Sequence, residues 1–229
     1  MTLIRLTLES ARQVARELNK LGLNSPVLLE GVGQDPLDVL IATLLSQASG
    51  DQVTQGIFRE LKGRYPGWAG LARAPLFEVE EILRRGGLAK QKSQRLKEIL
   101  SQLESEQGAL SLTPLLEGTD EQAMAKLLQL AGVGPKTAAC VLLFALGRPV
   151  FPVDTHVLRV SRRLGWVGAK ETAPRAQDLL SRIIPEDLHL SLHTDLIRFG
   201  REICRANTPR CYHCPLAEEC DYARGRMLA

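Results

Sequence analysis

The spacing of apolar residues along this chain predicts α-helices, because no useful length of sequence alternates apolar and polar residues as a half-buried strand would. Leu96, Ile99, Leu100 and Leu103 form one stripe at helical spacing. Further stripes occupy residues 120–130, 136–146, 155–164, 174–183 and 189–203. We therefore expect an all-α fold that contains many short helices.

Proline and glycine mark the expected helix boundaries and suggest two lobes. The pair Asp35-Pro36 places a capping side chain and then a proline at the start of a helix. The composition changes near residues 149–152, and it changes again at Cys204. We predict a helical bundle in the middle of the chain that ends near residue 149, and a second lobe that closes on the cysteine segment.

The composition is that of a chain with a proper core and a charged surface, since 45% of the residues are hydrophobic and 24% are charged. No apolar run approaches the roughly 18 residues that a membrane helix needs. The first twenty residues carry charges throughout and lack the apolar core of a signal peptide. We expect a cytoplasmic protein without membrane contact.

A net charge of +3 does not by itself indicate a nucleic-acid-binding protein, so a binding face would have to come from local clustering. Two clusters are candidates for such a face. The first contains Arg84, Arg85, Lys90, Lys92, Arg95 and Lys97, and the second contains Arg159, Arg162 and Arg163. Solvated helix faces would have the same composition, and the sequence leaves both interpretations open.

Four of the five cysteines lie close together near the C-terminus, with the spacing C-x6-C-x2-C-x5-C. They are Cys204, Cys211, Cys214 and Cys220. Disulfides are disfavoured in a cytosolic chain, and a zinc site usually takes its thiolates from two close pairs. A [4Fe–4S] cluster accepts longer and unequal loops. The spacing favours the cluster and leaves zinc open, while Cys140 in an apolar helix is expected to be a buried core residue.

The cysteine segment is too short to form a core of its own, so bonds to a metal group are expected to supply its folding energy. Its main role would then be that of a structural staple. The loop after Cys204 would also be able to present Arg205 and Arg210 to DNA.

The sequence LLQLAGVGPKTAACVLLFALG predicts a helix, a hairpin and a second helix. Gly132 stands where a helix ends in the left-handed conformation, Gly134 allows the chain to turn back, and Pro135 suits the first position of a helix. The outward N–H groups of such a hairpin can bind a DNA phosphate. An ordinary helical hairpin would have the same glycines, so this pattern alone is weak evidence.

Lys136 falls in the first turn of the second helix, where the positive end of the helix dipole disfavours an ammonium and so favours a nucleophilic amine. Eighteen residues later, the sequence Val153-Asp154-Thr155-His156 is expected to begin another helix. Asp154 is a good N-cap residue, and capping alone would explain it. The same carboxylate is also a candidate catalytic group.

Three motifs together resemble the endonuclease III family of the helix-hairpin-helix glycosylase superfamily. They are LAGVGPKTA, VDTHVLRVSRRLGW and the four-cysteine spacing, and the resemblance covers roughly residues 35 to 222. The family fold has two α-helical lobes. One is a six-helix barrel that carries the helix-hairpin-helix motif, and the other combines the N-terminal region with a C-terminal iron–sulfur region. For this chain the resemblance implies a barrel over residues 34–149 and a second helical lobe built from residues 1–33 and 150–229.

The resemblance implies a base excision repair enzyme that removes oxidised pyrimidines from double-stranded DNA, cuts at abasic sites, and acts as a monomer. It implies that Lys136 is the catalytic amine, that Asp154 is its partner, and that the four cysteines hold a [4Fe–4S] cluster. Related adenine-mismatch glycosylases lack the lysine and do not cut the strand, so Lys136 indicates the bifunctional branch. The expected DNA contacts in these motifs are Gly132, Val133, Gly134, Thr137 and His156.

The family also fills the space left by a flipped nucleotide with a leucine and a glutamine. Leu88 after Gly87 matches the leucine, although a core position would also explain it. The family segment LLSAQATD corresponds here to LLSQASGD, so the glutamine, Gln47, stands one position early and Ala48 takes its place. If a helix continued through this segment, Gln47 would point about 100° away from the expected direction.

A second hypothesis is a DNA-binding paralogue that marks damaged sites without catalysis. Residues 44–51, called here the gap segment, differ from the family pattern, and this change and the modest net charge favour the paralogue. The Lys136 and Asp154 pair favours the enzyme, and cleavage of DNA that contains an abasic site distinguishes the two.

Overall fold

The computed structural model describes residues 6–23, 27 and 32–227, and within these ranges the regular structure is entirely helical. This confirms the predicted all-α class. None of the helices in these ranges has the length and apolar character that crossing a bilayer requires. The helices are α1 (Leu8–Lys20), α2 (Pro36–Leu45), α3 (Asp51–Arg64), α4 (Ala69–Arg73), α5 (Leu76–Leu83), α6 (Ala89–Gln107), α7 (Asp120–Leu127), α8 (Pro135–Leu146), α9 (Thr155–Arg163), α10 (Ala173–Ile183), α11 (His189–Glu202) and α12 (Asp221–Met227).

Helix starts follow the local capping signals in the sequence. The Asp35 carboxylate accepts the N–H of Leu37 at 2.8 Å, and Pro36 occupies the first turn of α2. Thr119 and Gln122 form a reciprocal capping box at the start of α7. Such caps satisfy N–H groups that have no acceptor inside the helix.

The chain divides into two compact units. The central unit, Pro26–Arg148, contains α2 to α8. The terminal unit combines Met1–Ser25 with Pro149–Ala229 and contains α1 and α9 to α12.

The middle of the central unit is formed by α2 packed along α8. Every residue of α2 from Leu37 to Leu45 is buried, as is the α8 segment from Thr137 to Leu143, so both helices are enclosed on all sides. Cys140 lies in this core, as predicted. Since each buried leucine contributes about 1.5–3 kcal/mol, the two helices are firmly held, and the segments attached to their ends start from fixed positions.

In the terminal unit, α11 packs against both α1 and α9, and α12 packs against α9. The approach of α9 to α11 depends on Gly200, because a Cβ atom there would lie 2.9 Å from the Cβ of His156. This close contact fixes the first turn of α9, which is also the turn that carries Asp154 at its N-cap.

Candidate functional site

The glycine hairpin before α8 has the predicted conformation. Gly132 is left-handed, with φ of 71°. A side chain at Gly132 is also excluded by space, because its Cβ would lie 2.7 Å from the Cδ of Arg95. Gly134 is the extended N-cap residue and Pro135 is the first residue of α8. The hairpin therefore follows from local sequence, whereas its contact with Arg95 is a tertiary feature.

Not every N–H group of the hairpin is available to a ligand. The Val133 N–H donates to the carbonyl of Leu130 within the turn. The N–H groups of Lys136 and Thr137 lie in the first turn of α8, where a helix offers no internal acceptor. The side chains of Val133 and Thr137 are buried. Any contact of Thr137 with a phosphate would therefore use its backbone N–H at the positive end of α8.

Lys136 is the second residue of α8 and is partly exposed. The residues that follow it are buried in the core of the central unit, so the helix fixes the start of its side chain. Within the described part of the central unit, no carboxylate forms an ion pair with Lys136. Its amine is therefore not committed to a structural ion pair in that unit.

Asp154 caps α9, as predicted, because one of its carboxylate oxygens accepts the N–H of Val157 at 2.8 Å. This capping bond uses only one of the two oxygens. His156, in the first turn of α9, is half-buried, and burial lowers the pKa of its imidazole while the Asp154 charge partly opposes that shift. Its Nδ1 lies 3.1 Å from the Arg159 guanidinium, so the ring is held within the terminal unit.

The gap segment after α2 differs from the helical extrapolation. Because α2 ends at Leu45, Gln47 does not lie on a helix, and the expected offset of about 100° does not apply. Ala48 is left-handed, with φ of 53°, and the chain bends there. The Gln47 side-chain oxygen accepts a hydrogen bond from Arg95 at 3.1 Å. Tertiary contact therefore determines where this glutamine points.

Leu88 is not a core residue, since 52% of it is exposed. It stands at the start of α6 in a left-handed conformation, with φ of 52°. The turn before it approaches the gap segment, because a Cβ on Gly87 would lie 3.5 Å from the carbonyl oxygen of Ala48. The central unit thus brings the two candidate gap-filling segments together.

The first basic cluster is only partly exposed, and several of its cations have partners within the protein. Lys92 is only 3% exposed, Lys97 donates to backbone carbonyls of the α4 region, and Arg85 pairs with Glu60. Arg84 pairs with a glutamate one turn earlier. The interpretation of this cluster as a DNA-binding surface is therefore wrong for Lys92, and it stays a prediction for the exposed Arg84, Arg85 and Lys90.

The second basic cluster braces the cysteine segment instead of forming an open surface. Arg159 donates to the carbonyls of Gly200 and Cys204. Arg163 donates to the carbonyls of Arg205 and Ala206, and its guanidinium lies 4.4 Å from the centre of the Tyr222 ring. These cations satisfy the carbonyls of an irregular loop, which has no helix or sheet to do so.

The four C-terminal cysteines line a single pocket, and its remaining walls are mostly apolar. Burial raises the pKa of the Cys214 thiol to about 11, and it also raises the pKa of Cys220. Since a metal ligand must be the thiolate, these thiols need a bound cation nearby to ionise at neutral pH. The described residues contain no group of three His, Cys, Asp or Glu arranged around a single metal ion.

Arg205 and Arg210 are both exposed beside this pocket. Arg205 is tied to α11 through a bond from its Nε to the carbonyl of Arg201, and the backbone N–H of Arg210 donates to the carbonyl of Ile203. Their positions leave the guanidinium groups at the surface.

Sequence reasoning did not single out Lys92 and Arg95 as structural braces. Lys92 donates to two backbone carbonyls, and Arg95 contacts both Gln47 and Gly132. A signal for Lys92 was present, because it lies four residues before Leu96 and so continues the buried stripe of α6.

The chain is similar in sequence to a known protein family and to several of its members. The family model described as HhH-GPD superfamily base excision DNA repair protein matches residues 41–186. The chain is 35% identical over 192 residues to endonuclease III of Thermotoga maritima, covering 84% of this chain and 85% of the relative. It is 30% identical over 210 residues to endonuclease III of Bacillus subtilis, covering 91% and 92%.

A solved structure of a trapped endonuclease III–DNA covalent intermediate is similar to this fold. The TM-score is 0.81 at 31% sequence identity, and the match covers 97% of this chain and 99% of that chain.

Proposed function

Since this chain belongs to the endonuclease III family of HhH-GPD base excision DNA repair proteins, we propose that it is a bifunctional DNA glycosylase and abasic-site lyase. Its substrates are oxidised pyrimidines and abasic sites in double-stranded DNA. The observation that carries this proposal is the amine of Lys136 in the first turn of α8, directly after the glycine hairpin. A relative at 31% identity forms a covalent intermediate with DNA.

In the proposed reaction the Lys136 amine attacks C1′ of the damaged nucleotide, the bond from C1′ to the base breaks, and the base leaves with the electron pair and takes up a proton. Loss of the amine proton and opening of the sugar ring give an imine to Lys136. The imine acidifies the C2′ proton, and its removal expels the 3′ phosphate. Asp154 stabilises the positive charge that develops on the sugar through the negative charge of its carboxylate.

The four cysteines around the C-terminal pocket are proposed to hold a [4Fe–4S] cluster. Three observations support this proposal: the four side chains line one pocket, the other lining residues are mostly apolar, and the cysteine spacing resembles that of the family. When bound, the cluster supplies cross-links that fold a segment with little core of its own. Arg163 donates to the Cys204 sulfur at 3.3 Å, the kind of bond that stabilises a thiolate ligand.

The decisive test of the proposed function is incubation with a duplex that contains one abasic site. We expect a nick on the 3′ side of that site, and we expect no nick in an undamaged duplex. Binding to the same duplex without cleavage would establish the non-catalytic paralogue instead.

Asp154 combines a cap with a charge, and two substitutions separate these roles. Asn caps as well as Asp, so Asp154→Asn should leave the free energy of unfolding nearly unchanged and slow the first turnover strongly. Asp154→Ala should slow turnover similarly and also cost about 1 kcal/mol of stability. Urea unfolding and single-turnover cleavage measure the two effects, and full activity in the Asn variant would exclude a charge role.

Because the gap segment is altered, we expect the rate of base removal to depend on how firmly the target base is stacked. Flipping a nucleotide costs a few kcal/mol, and Ala48 is too short to fill the space left behind. Gln47 is held by Arg95 in this structure. We expect a mismatch or single-stranded DNA to speed base removal several-fold relative to matched duplex, and we expect Ala48→Gln to narrow that ratio. Neither alanine nor glutamine favours the left-handed backbone at position 48, so the substitution brings no conformational relief there.

The measurement is single-turnover excision of one lesion in matched, mismatched and single-stranded oligonucleotides. Identical ratios for the wild type and for Ala48→Gln would show that Ala48 has no part in gap filling, which would leave Gln47 or Leu88 in that role.

A further inference from the structure

Lys92 is a buried cation whose partners are backbone carbonyls of two different segments. Its ammonium donates to the carbonyl oxygen of Leu45 at 2.7 Å and to that of Gly86 at 2.8 Å. Leu45 ends α2, where the last carbonyls of a helix lack internal donors. Gly86 lies two residues before Leu88. Lys92 thus links the start of the gap segment to the turn that leads into Leu88, residues 86–88, called here the Leu88 turn.

The two segments contact each other beside Lys92 and are conformationally unusual. Ala48 and Leu88 are both left-handed without being glycine, which costs each about 1–2 kcal/mol. Gly86 is pressed against α3, since a Cβ there would lie 2.7 Å from the Cδ1 of Ile57. Such conformations persist only where the surroundings hold them in place. Lys92 supplies two of the bonds that do so.

General stability is a poor explanation for this lysine. In the described part of the chain, no carboxylate lies within ion-pair distance of Lys92, and burial lowers the pKa of its ammonium. Burying a charge without a counter-charge is costly, and an apolar side chain at this position of the α6 stripe would avoid the cost. The ammonium contributes two directional hydrogen bonds, and these hold carbonyls from separate segments at a set distance from each other.

Arg95, one turn further along α6, extends the same arrangement. Its guanidinium donates to the side-chain oxygen of Gln47, and its aliphatic part lies against Gly132 of the hairpin. One face of α6 therefore contacts the gap segment, the Leu88 turn and the phosphate-binding hairpin.

We propose that Lys92 is a positioning residue that locks the gap segment and the Leu88 turn into one wedge, so that both enter the duplex together. This inference rests on the proposed function, because it assigns the two segments a role in nucleotide flipping. Lys92 itself contacts neither DNA nor the reacting atoms. Without it, the chemistry at an accessible abasic site continues, and the opening of a stacked duplex is impaired.

The variant that tests the proposal is Lys92→Met, which keeps the length of the side chain and removes its N–H donors. Cleavage of an abasic site is compared in duplex and in single-stranded DNA. We expect the duplex rate to fall by roughly tenfold or more, and the single-strand rate to change by less than about threefold. A second readout is the fluorescence of 2-aminopurine opposite a stable abasic analogue, which rises on binding when the wedge unstacks it, and this rise should be reduced.

The matched control is Leu100→Ala, which removes a fully buried side chain from the same helix, about two turns after Lys92. It should unfold at lower urea concentration but keep the wild-type ratio of duplex to single-strand cleavage and the wild-type fluorescence rise. If Lys92→Met does not fold, Lys92→Gln keeps a donor on a shorter side chain and should shift both readouts in the same direction.

An unchanged ratio or an unchanged fluorescence rise in a folded Lys92 variant would overturn the proposal, and so would an equal change in Leu100→Ala. Cleavage of both DNA substrates by the wild-type protein distinguishes a failure of this inference from a failure of the proposed function. If the wild type nicks neither DNA, the lyase assignment itself is wrong.

Discussion

Replacing Lys136 by glutamine is expected to abolish strand cleavage at abasic sites and to abolish covalent trapping by borohydride. Glutamine keeps the length and polarity of the side chain but has no nucleophilic amine, so no imine forms for borohydride to reduce. Because loss of a nucleophile removes an entire chemical pathway, the rate should fall by roughly 10³-fold or more. The core contacts of α8 begin after Lys136, so the fold and the binding to DNA should persist.

The control for this experiment is Lys90→Gln, which removes an exposed lysine from the same unit. Trapping should be unchanged in that variant, and its DNA affinity should fall by no more than the loss of one surface charge explains. If Lys136→Gln traps as efficiently as the wild type, a different amine is the nucleophile. Gel analysis of the reduced complexes and titration with a labelled duplex provide the two measurements.

Replacing Cys214 by serine is expected to prevent binding of the proposed iron–sulfur cluster and to unfold the C-terminal part of the terminal unit. Purified wild-type protein should be yellow-brown, with about four irons per chain if the cluster is of the [4Fe–4S] type. A serine oxygen is a poor substitute for a thiolate, and the segment around it has few core residues other than Leu216. The variant should therefore be insoluble or strongly destabilised.

Cys140→Ala is the matched control, because it removes a cysteine that is buried in α8 and distant in sequence from the cluster segment. It should keep its colour and its iron, with at most a modest loss of stability. Metal analysis of anaerobically prepared protein measures the result. Zinc without iron in the wild type would contradict the cluster assignment.

Two exposed turns of the central unit, at Ala48 and Leu88, are held by the folded framework in conformations that they would seldom adopt alone. Leu88 and Ala48 occupy left-handed positions that an isolated peptide would seldom adopt. Buried contacts from α6 and α3 hold them there. If these segments are the wedge, part of the conformational cost of flipping is met when the protein folds and not when it binds DNA.

Local features of this protein were predictable from the sequence because their causes lie within a few residues. The helices follow from apolar spacing, the start of α2 from Asp35-Pro36, and the hairpin from Gly132 and Pro135. The capping role of Asp154 depends on a residue only three positions away. The family motifs add the expected roles of Lys136 and the cysteines, since those residue types and spacings are specific to their chemistry.

The tertiary structure alone decided which charged and apolar side chains are available at the surface. Some of the basic residues that suggest a DNA-binding face are used inside the protein, as the bonds of Lys92 and Arg163 show. Lys92 reaches a carbonyl 47 residues away, and Gln47 is oriented by Arg95, 48 residues away. Long side chains satisfy buried carbonyls wherever the fold brings these near. Helical periodicity reports only on neighbours within a turn or two, so it determines the helices and not the partners of their charged residues.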